Sequence, residues 1–373
     1  DGLRYCTECM VTGEGIDRRR LRERMSELGD SLVVAGTHNK LKVHIHTDTP
    51  DEVFAAAGAF GAVSSTKADD MHRQQEAGHQ TARRVAVLTD SAADIPDDEL
   101  ERLHIHTAPL RVHFGERGYL DKLSISSDEF YRRLRTATAY PTTSQPAPGD
   151  LRRQFEFLAS HFDSVVSLHI GAANSGTFQA AQAAAARSSA AERIHVIDSL
   201  NASLGQGLIA LHAAECAAAG HDAEAVLAAV AQAIPRTRTF AAVSDMSWGV
   251  RGGRIPPAVQ TVTDALHLTP VLGTRTSGRV ALAGVLFGRR DVEAKFARFV
   301  RRRMAADKRY RLAVGYGADR AAGEALLARL LADCDNVEGG WVAQVGSALG
   351  THAGPDVLLA AFQEAVAPPA EAG

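Results

Sequence analysis

The chain has 373 residues and a net charge of −3, enough length for two or three domains, each with its own core. Its Lys and Arg are dispersed among similar numbers of acids, so it carries no basic field for nucleic acid, and none is expected as a partner. Cys6, Cys9, Cys216 and Cys334 are too few and too scattered for a disulfide framework and point to a reducing cytoplasm.

No charged-then-apolar leader and no apolar run long enough to span a bilayer is found, and DGLRYCTECM starts without a methionine, so more chain is expected upstream. Ile16, Leu21, Met25 and Leu28 have the spacing of an amphipathic helix that Gly29 and Asp30 end. SLVVAG and KLKVHIHTD flank the turn THN and predict a hairpin, its second strand alternating Leu41, Val43, Ile45 with Lys42, His44, His46. A helix PDEVFAAAGAF follows, then KADDMHRQQEAGHQTARR, which reads as a polar connector with a domain boundary near Gly78.

Beyond it the pattern becomes strand, loop, helix, repeated: RVAVLTD and PDDELERL, SVVSLHI and SGTFQAAQAAAARS, RIHVIDS and LGQGLIALHAAECAAAG. Short apolar strands alternating with helices predict an α/β fold with a mostly parallel, helix-covered sheet. Ligands of such sheets sit beyond the carboxyl ends of the strands, where the polar loops 89–94, 142–145 and 171–177 fall. After Arg238 a second α/β lobe is expected, with RLAVGYG and WVAQVGS as strands and DVLLAAF as a helix.

Several short stretches carry polar chemistry. PTTSQPAP fences Thr143 and Ser144 between prolines as a loop of hydroxyls. Ser175, with the amides of Gly176 and Thr177, sits where a strand meets a helix, a seat for a carboxylate or an ordinary helix cap. LGTHAGPD places His352 in a predicted loop, and GVRGGRIPP offers Arg251 and Arg254, whose guanidinium forks suit carboxylate or phosphate. A Ser175, His352 and Asp90 grouping would permit ester hydrolysis, although GAANSGT is not GxSxG. No GxxxxGK[ST] or GxGxxG occurs. His44 and His46, two apart on one strand, share a face and with Cys6 could chelate a metal, or simply form a polar sheet face.

RVAVLTDSAADIP, TTSQPAPGD, IGAANSGTFQAA, IDSLNASLGQG, VRGGRI and GTHAGPD, in that order, resemble the DegV family of bacterial fatty-acid-binding proteins. YCTECM, LGDSLVVAG, LKVHIHTDTP and KADDM resemble the middle domain of the fatty acid kinase subunit of DAK2/DhaL type. The resemblance implies a kinase middle-domain segment over 1–78, a linker over 79–84, and a two-lobed DegV (EDD) fold with lobes at 85–236 and 237–368.

It further implies that the DegV part holds one long-chain fatty acid in a buried tunnel and presents the carboxyl group to an ATP-binding kinase domain, which makes the acyl phosphate. Thr143, Ser144, Ser175, Gly176 and His352 would hold the carboxyl, and Arg254 would dock the kinase or steady the phosphate. Cys6, His44 and His46 would be tied to phosphoryl transfer, through a metal. No cofactor beyond the bound fatty acid and this metal is implied, the chain itself is not an enzyme, and transient membrane contact would serve lipid exchange. Ala173 and Asn174 replace a more usual Gly-Leu pair, Cys9 a bulky apolar residue and Asp356 a glycine, changes expected to alter the portal or the chain-length preference. The alternatives from other classes are a serine hydrolase using Ser175 and His352, and a metal-dependent interaction module.

Overall fold

The computed structural model describes residues 3–71, 84–137 and 139–365. The linker expected at 79–84, Arg84 excepted, and the last residues of the expected second lobe, 366–368, lie outside the described residues. The chain divides into two compact units, one of residues 1–80 with 111–142 and one of residues 81–110 with 143–373.

In the first unit β1 (Tyr5–Thr12), β2 (Asp30–Thr37), β3 (Lys40–Thr47) and β4 (Ala62–Asp70) form an antiparallel sheet of order β2-β3-β1-β4. Strand alternation puts Cys9 and Val11 of β1 and Leu41, Val43 and Ile45 of β3 on one face. The helices Arg18–Ser26, through Leu21 and Met25, and Pro50–Gly58, through Val53, Phe54 and Ala57, cover that face. Asp17 caps the first helix by accepting from the amides of Arg19 and Arg20. The predicted hairpin is β2 and β3. KADD, expected as connector, is instead the end of β4; an edge strand with one open face carries the polar residues that make it look like a loop.

The hairpin of β7 (Arg111–Phe114) and β8 (Arg117–Leu120) and the helix Ser127–Thr136 also belong to this unit, although the sequence places 111–142 inside the first DegV lobe. Leu120 joins the core made by Val11, Leu41 and Phe54. Arg111 donates to the Thr66 hydroxyl at 3.0 Å and to its carbonyl at 2.9 Å. Such contacts join residues distant in sequence and have no local signature.

The second unit holds two sheets. β5 (Val85–Asp90), β6 (His106–Ala108), β10 (Ser164–His169) and β11 (Ile194–Asp198) run parallel in the order β11-β10-β5-β6. All of β5 is buried, as expected of a strand covered on both faces. The other sheet comprises β12 (Thr237–Ala242), β13 (Leu268–Thr274), β14 (Val280–Phe287), β15 (Tyr310–Tyr316), β16 (Val337–Gln344) and β17 (Leu358–Glu364). Its order is β14-β13-β12-β17-β15-β16, with only β15 and β16 parallel. The helix Leu204–Ala218, buried nearly all round, packs on β5 and also on β12, β15 and β17, and so forms the layer shared by the two lobes. This is the two-lobed α/β architecture the sequence predicts.

Two elements differ from expectation. DVLLAAF contains no helix; it supplies β17, a buried strand between β12 and β15. An unbroken apolar run does not distinguish a buried strand from a buried helix, and its alanines favour the latter. His352 lies not in a loop but in the last turn of the short helix Ser347–Ala353, which Gly354 ends at φ 81°. Among the described residues no helix is long and apolar enough to cross a membrane.

Candidate functional site

A cavity of about 130 Å³ lies in the second unit, walled by residues from both lobes that include Leu110, Ile170, Phe240, Leu272, Val280 and Leu349. Into this apolar lining project Thr143, Asn174, Ser175, Arg254 and His352. Four sequence-predicted residues, remote along the chain, thus line one cavity.

Each is positioned by a recognisable local cause. Thr143 is the middle residue of β9 (Thr142–Ser144), half-buried between two exposed neighbours. Alternation that turns Thr143 inward turns Ser144 to the opposite face, so Ser144 lies outside the lining, contrary to its grouping with Thr143. Ser175 precedes the helix Thr177–Ala185, and its Oγ accepts from the Thr177 amide at 3.3 Å and lies 2.9 Å from the Thr177 hydroxyl. It therefore satisfies the first amide of that helix, whose N-cap is Gly176, as well as lining the cavity. Gly176 is exposed and also outside the lining; a Cβ there would overlap the Gln145 side chain, so its role is to admit Gln145.

His352 and Thr143 meet across the cavity, Nε2 to Oγ1 at 3.0 Å. The other ring nitrogen, Nδ1, is buried with no hydrogen-bond partner and lies against Gly252, where any Cβ would overlap it. Burial, with the Arg254 charge second, lowers the His352 pKa to about 4, so the ring is neutral at neutrality. An orphaned N–H costs more than an orphaned lone pair, which favours the tautomer protonated on Nε2. Thr143 then accepts from His352 and its own O–H is released to donate to a ligand oxygen. GGR makes this possible: glycine at 252 is required by the close approach of the ring, a reason invisible in the sequence.

Sequence reading misses Asn174 as more than a substitution. Its Nδ2 donates to the Gly278 carbonyl at 2.7 Å and its Oδ1 accepts from the Val280 amide at 3.1 Å. This clamps the turn between β13 and β14 of the second lobe to the first lobe. Asp94 makes a second clamp, accepting from Ser203 Oγ at 2.7 Å and from the Gly346 amide at 2.8 Å.

The grouping of Ser175, His352 and Asp90 is not assembled. Asp90 is fully buried and receives His169 Nδ1 at 3.0 Å, the Ile170 amide at 2.9 Å and the Gln206 amide group at 3.0 Å. His169 in turn reaches Ser167 at 2.7 Å, a serine-histidine-aspartate chain sealed in the core. Among the described residues no carboxylate orients His352, whose Nδ1 has no partner, so the third member of a serine triad is not in place.

In the first unit the outer face of the sheet carries Cys6, His44 and His46, whose ligand atoms all lie within 4.8 Å of one another. Cys6 is paired with His46 and Glu8 with His44 across β1 and β3. Glu8 lies 3.1 Å from His44 Nδ1 and 3.0 Å from Lys42 Nζ. Burial pushes the Glu8 carboxyl up, but these hydrogen bonds outweigh it and hold the group below the usual carboxylate range. Asp30 lies 3.7 Å from His46 Nδ1. Burial, then the Asp69 charge, raise the Cys6 thiol, so without a cation it stays protonated. One thiolate and two imidazoles suit a zinc-type ion, and Glu8, which meets His44 on the same Nδ1 that lies 3.8 Å from the Cys6 sulfur, stands beside them.

A two-lobed α/β body with a mostly apolar cavity into which hydroxyls and a neutral imidazole project is suited to a small molecule with an apolar body and a polar head. The chain belongs to the DegV family, whose sequence profile matches residues 84–364. Residues 2–78 match the FakA-like middle domain of fatty acid kinase. A DegV domain-containing protein of Listeria monocytogenes is 32% identical over 281 residues, covering 74% of this chain and 96% of its own. A solved DegV family protein from Thermus thermophilus, described as fatty-acid-binding, is 33% identical with a TM-score of 0.69, covering 76% of this chain and 100% of its own. DegV of Bacillus subtilis, described as a fatty acid binding protein, is 27% identical with a TM-score of 0.68, again covering 76% and 100%.

Proposed function

We propose that the second unit binds one long-chain fatty acid, its tail in the apolar cavity and its carboxyl group against Thr143, Ser175 and His352. The observation that carries this reading is the contact of Thr143 with His352 in the lining of a mostly apolar cavity. The fatty-acid-binding descriptions of the Thermus and Bacillus relatives support the ligand class. Hydroxyl donors hold a sequestered carboxyl group at less desolvation cost than a buried ion pair, and accept from its protonated form as well. Burying about fifteen methylenes contributes on the order of 12 kcal/mol before ordering costs. At about 130 Å³ the cavity is smaller than the roughly 300–1,000 Å³ of pockets for drug-sized ligands. A long chain therefore enters by widening it.

The chain serves as a carrier rather than a catalyst: the bound carboxyl group is presented for phosphorylation to an ATP-binding kinase domain, with Arg254 at the mouth as the docking or phosphate-steadying cation. Cys6, His44 and His46 hold a zinc-type ion in the middle-domain segment that serves the same kinase. When bound, such an ion supplies positive charge and local order. Fusing this segment to its carrier raises the effective concentration of one at the other.

The test is fatty acid affinity in a Thr143→Val and Ser175→Ala double variant. Losing two hydrogen bonds to a carboxyl group, each about 1.5–3 kcal/mol if it is ionised, should weaken binding at least tenfold. Unchanged affinity, or absence of any co-purified fatty acid in native mass spectra of the parent protein, would refute the reading.

A further inference from the structure

A second cavity, of about 600 Å³, also lies in the second unit. Phe240, Gly273 and Thr274 line both cavities. Gly273 is what lets the Phe240 ring lie flat on β13, since a Cβ there would come within 3.0 Å of the ring carbons.

The chemistry of the second cavity is different. Arg238, Arg275 and Arg303 line it, together with Thr276, and no acidic residue does. Arg303 lies flat on Phe299, its guanidinium carbon 3.4 Å from the ring centroid, and also 5.5 Å from that of Phe240. Arg238 stands 5.7 Å from the same Phe240 ring. Two guanidiniums are thus gathered around one aromatic side chain. Arg303 is further tied to the Phe299 carbonyl at 2.8 Å. Among the described residues none of the three arginines is in an ion pair. Burial first, and the Arg238 charge second, lower the Arg303 pKa. Like charges held together without a carboxylate between them repel, and an anion seated between them would remove that cost.

We propose that this cavity is a binding site for a phosphorylated small molecule, its phosphate groups held by the forks of Arg238 and Arg303 with Arg275 and Thr276 beside them. Planar guanidiniums match phosphate oxygens two at a time, which a lysine cluster would not do. The volume falls within the range of sites for small organic ligands, far beyond a single inorganic phosphate. No residue of the Thr143 and His352 cluster takes part, so the proposal stands or falls independently of the fatty acid.

The test is calorimetric titration of the full chain with inorganic pyrophosphate and with ADP at 50 and 300 mM NaCl. One saturable site per chain is expected, tighter for ADP because an organic body fills the remaining volume, and weaker at the higher salt. Arg238→Gln with Arg303→Gln should weaken both ligands at least tenfold. Because Arg303 also packs on Phe299, Arg238→Gln alone provides a second reading: at least threefold weaker binding with an unchanged melting temperature. Neither compound binding at 50 mM NaCl, or binding unaltered in Arg238→Gln and in the double variant, would overturn the assignment.

Discussion

His352 shows how a single side chain acquires its behaviour from its surroundings. In the unfolded chain its pKa is near the ordinary 6.5, and in the folded state it is about 4. Between those values the unfolded chain binds a proton that the folded one refuses, so this residue makes stability fall as pH falls from about 6.5 and the loss is complete near pH 4. The full effect is on the order of 3 kcal/mol. Melting temperatures at pH 7 and pH 4.5 should therefore differ less in His352→Gln than in the parent; identical differences would contradict the buried, neutral imidazole. Its place in the site is partly legible in the sequence, since GTHAGP marks a polar residue among glycines. The neutral charge state is not, because it follows from Thr143, Gly252 and Arg254 gathered around the ring from distant segments.

At the scale of elements, strand alternation explains both what the sequence reveals and where it misleads. His44 and His46, two apart on β3, have to share a face, and the pairing of β1 with β3 brings Cys6 opposite His46. The same rule separates Thr143 from Ser144. From the first pairing we expect about one equivalent of zinc in protein purified without chelator and with a reductant, measured by elemental mass spectrometry, and its loss in Cys6→Ser or His44→Ala. A metal-free parent protein, or variants that retain the ion, would contradict the site. DVLLAAF and KADD mislead for opposite reasons: one is a central strand too apolar to show alternation, the other an edge strand too polar to resemble one.

At the scale of the molecule, residues 111–142 lie within the DegV-matched region of the sequence yet fold with the amino-terminal unit. Leu120 is 2% exposed there, and burial of a leucine is worth about 1.5–3 kcal/mol. Removing residues 1–78 should therefore leave 111–142 without its core. Limited proteolysis of a chain starting at residue 84 is expected to cut within 111–142 at least tenfold faster than in the full chain; equal resistance would show that the hairpin does not depend on that core.

The sequence by itself determined the α/β class, the parallel sheet of the first lobe, the hairpin of β2 and β3 and the residue types able to meet a carboxyl group, because periodicity and turn chemistry are local properties. Tertiary structure alone decided that Thr143 and His352 touch, that Asp90 serves His169, that Asn174 clamps the lobes together and that Arg238 and Arg303 crowd one ring. Each of these depends on contacts between segments tens to hundreds of residues apart, and such contacts leave no mark on the spacing of neighbours along the chain.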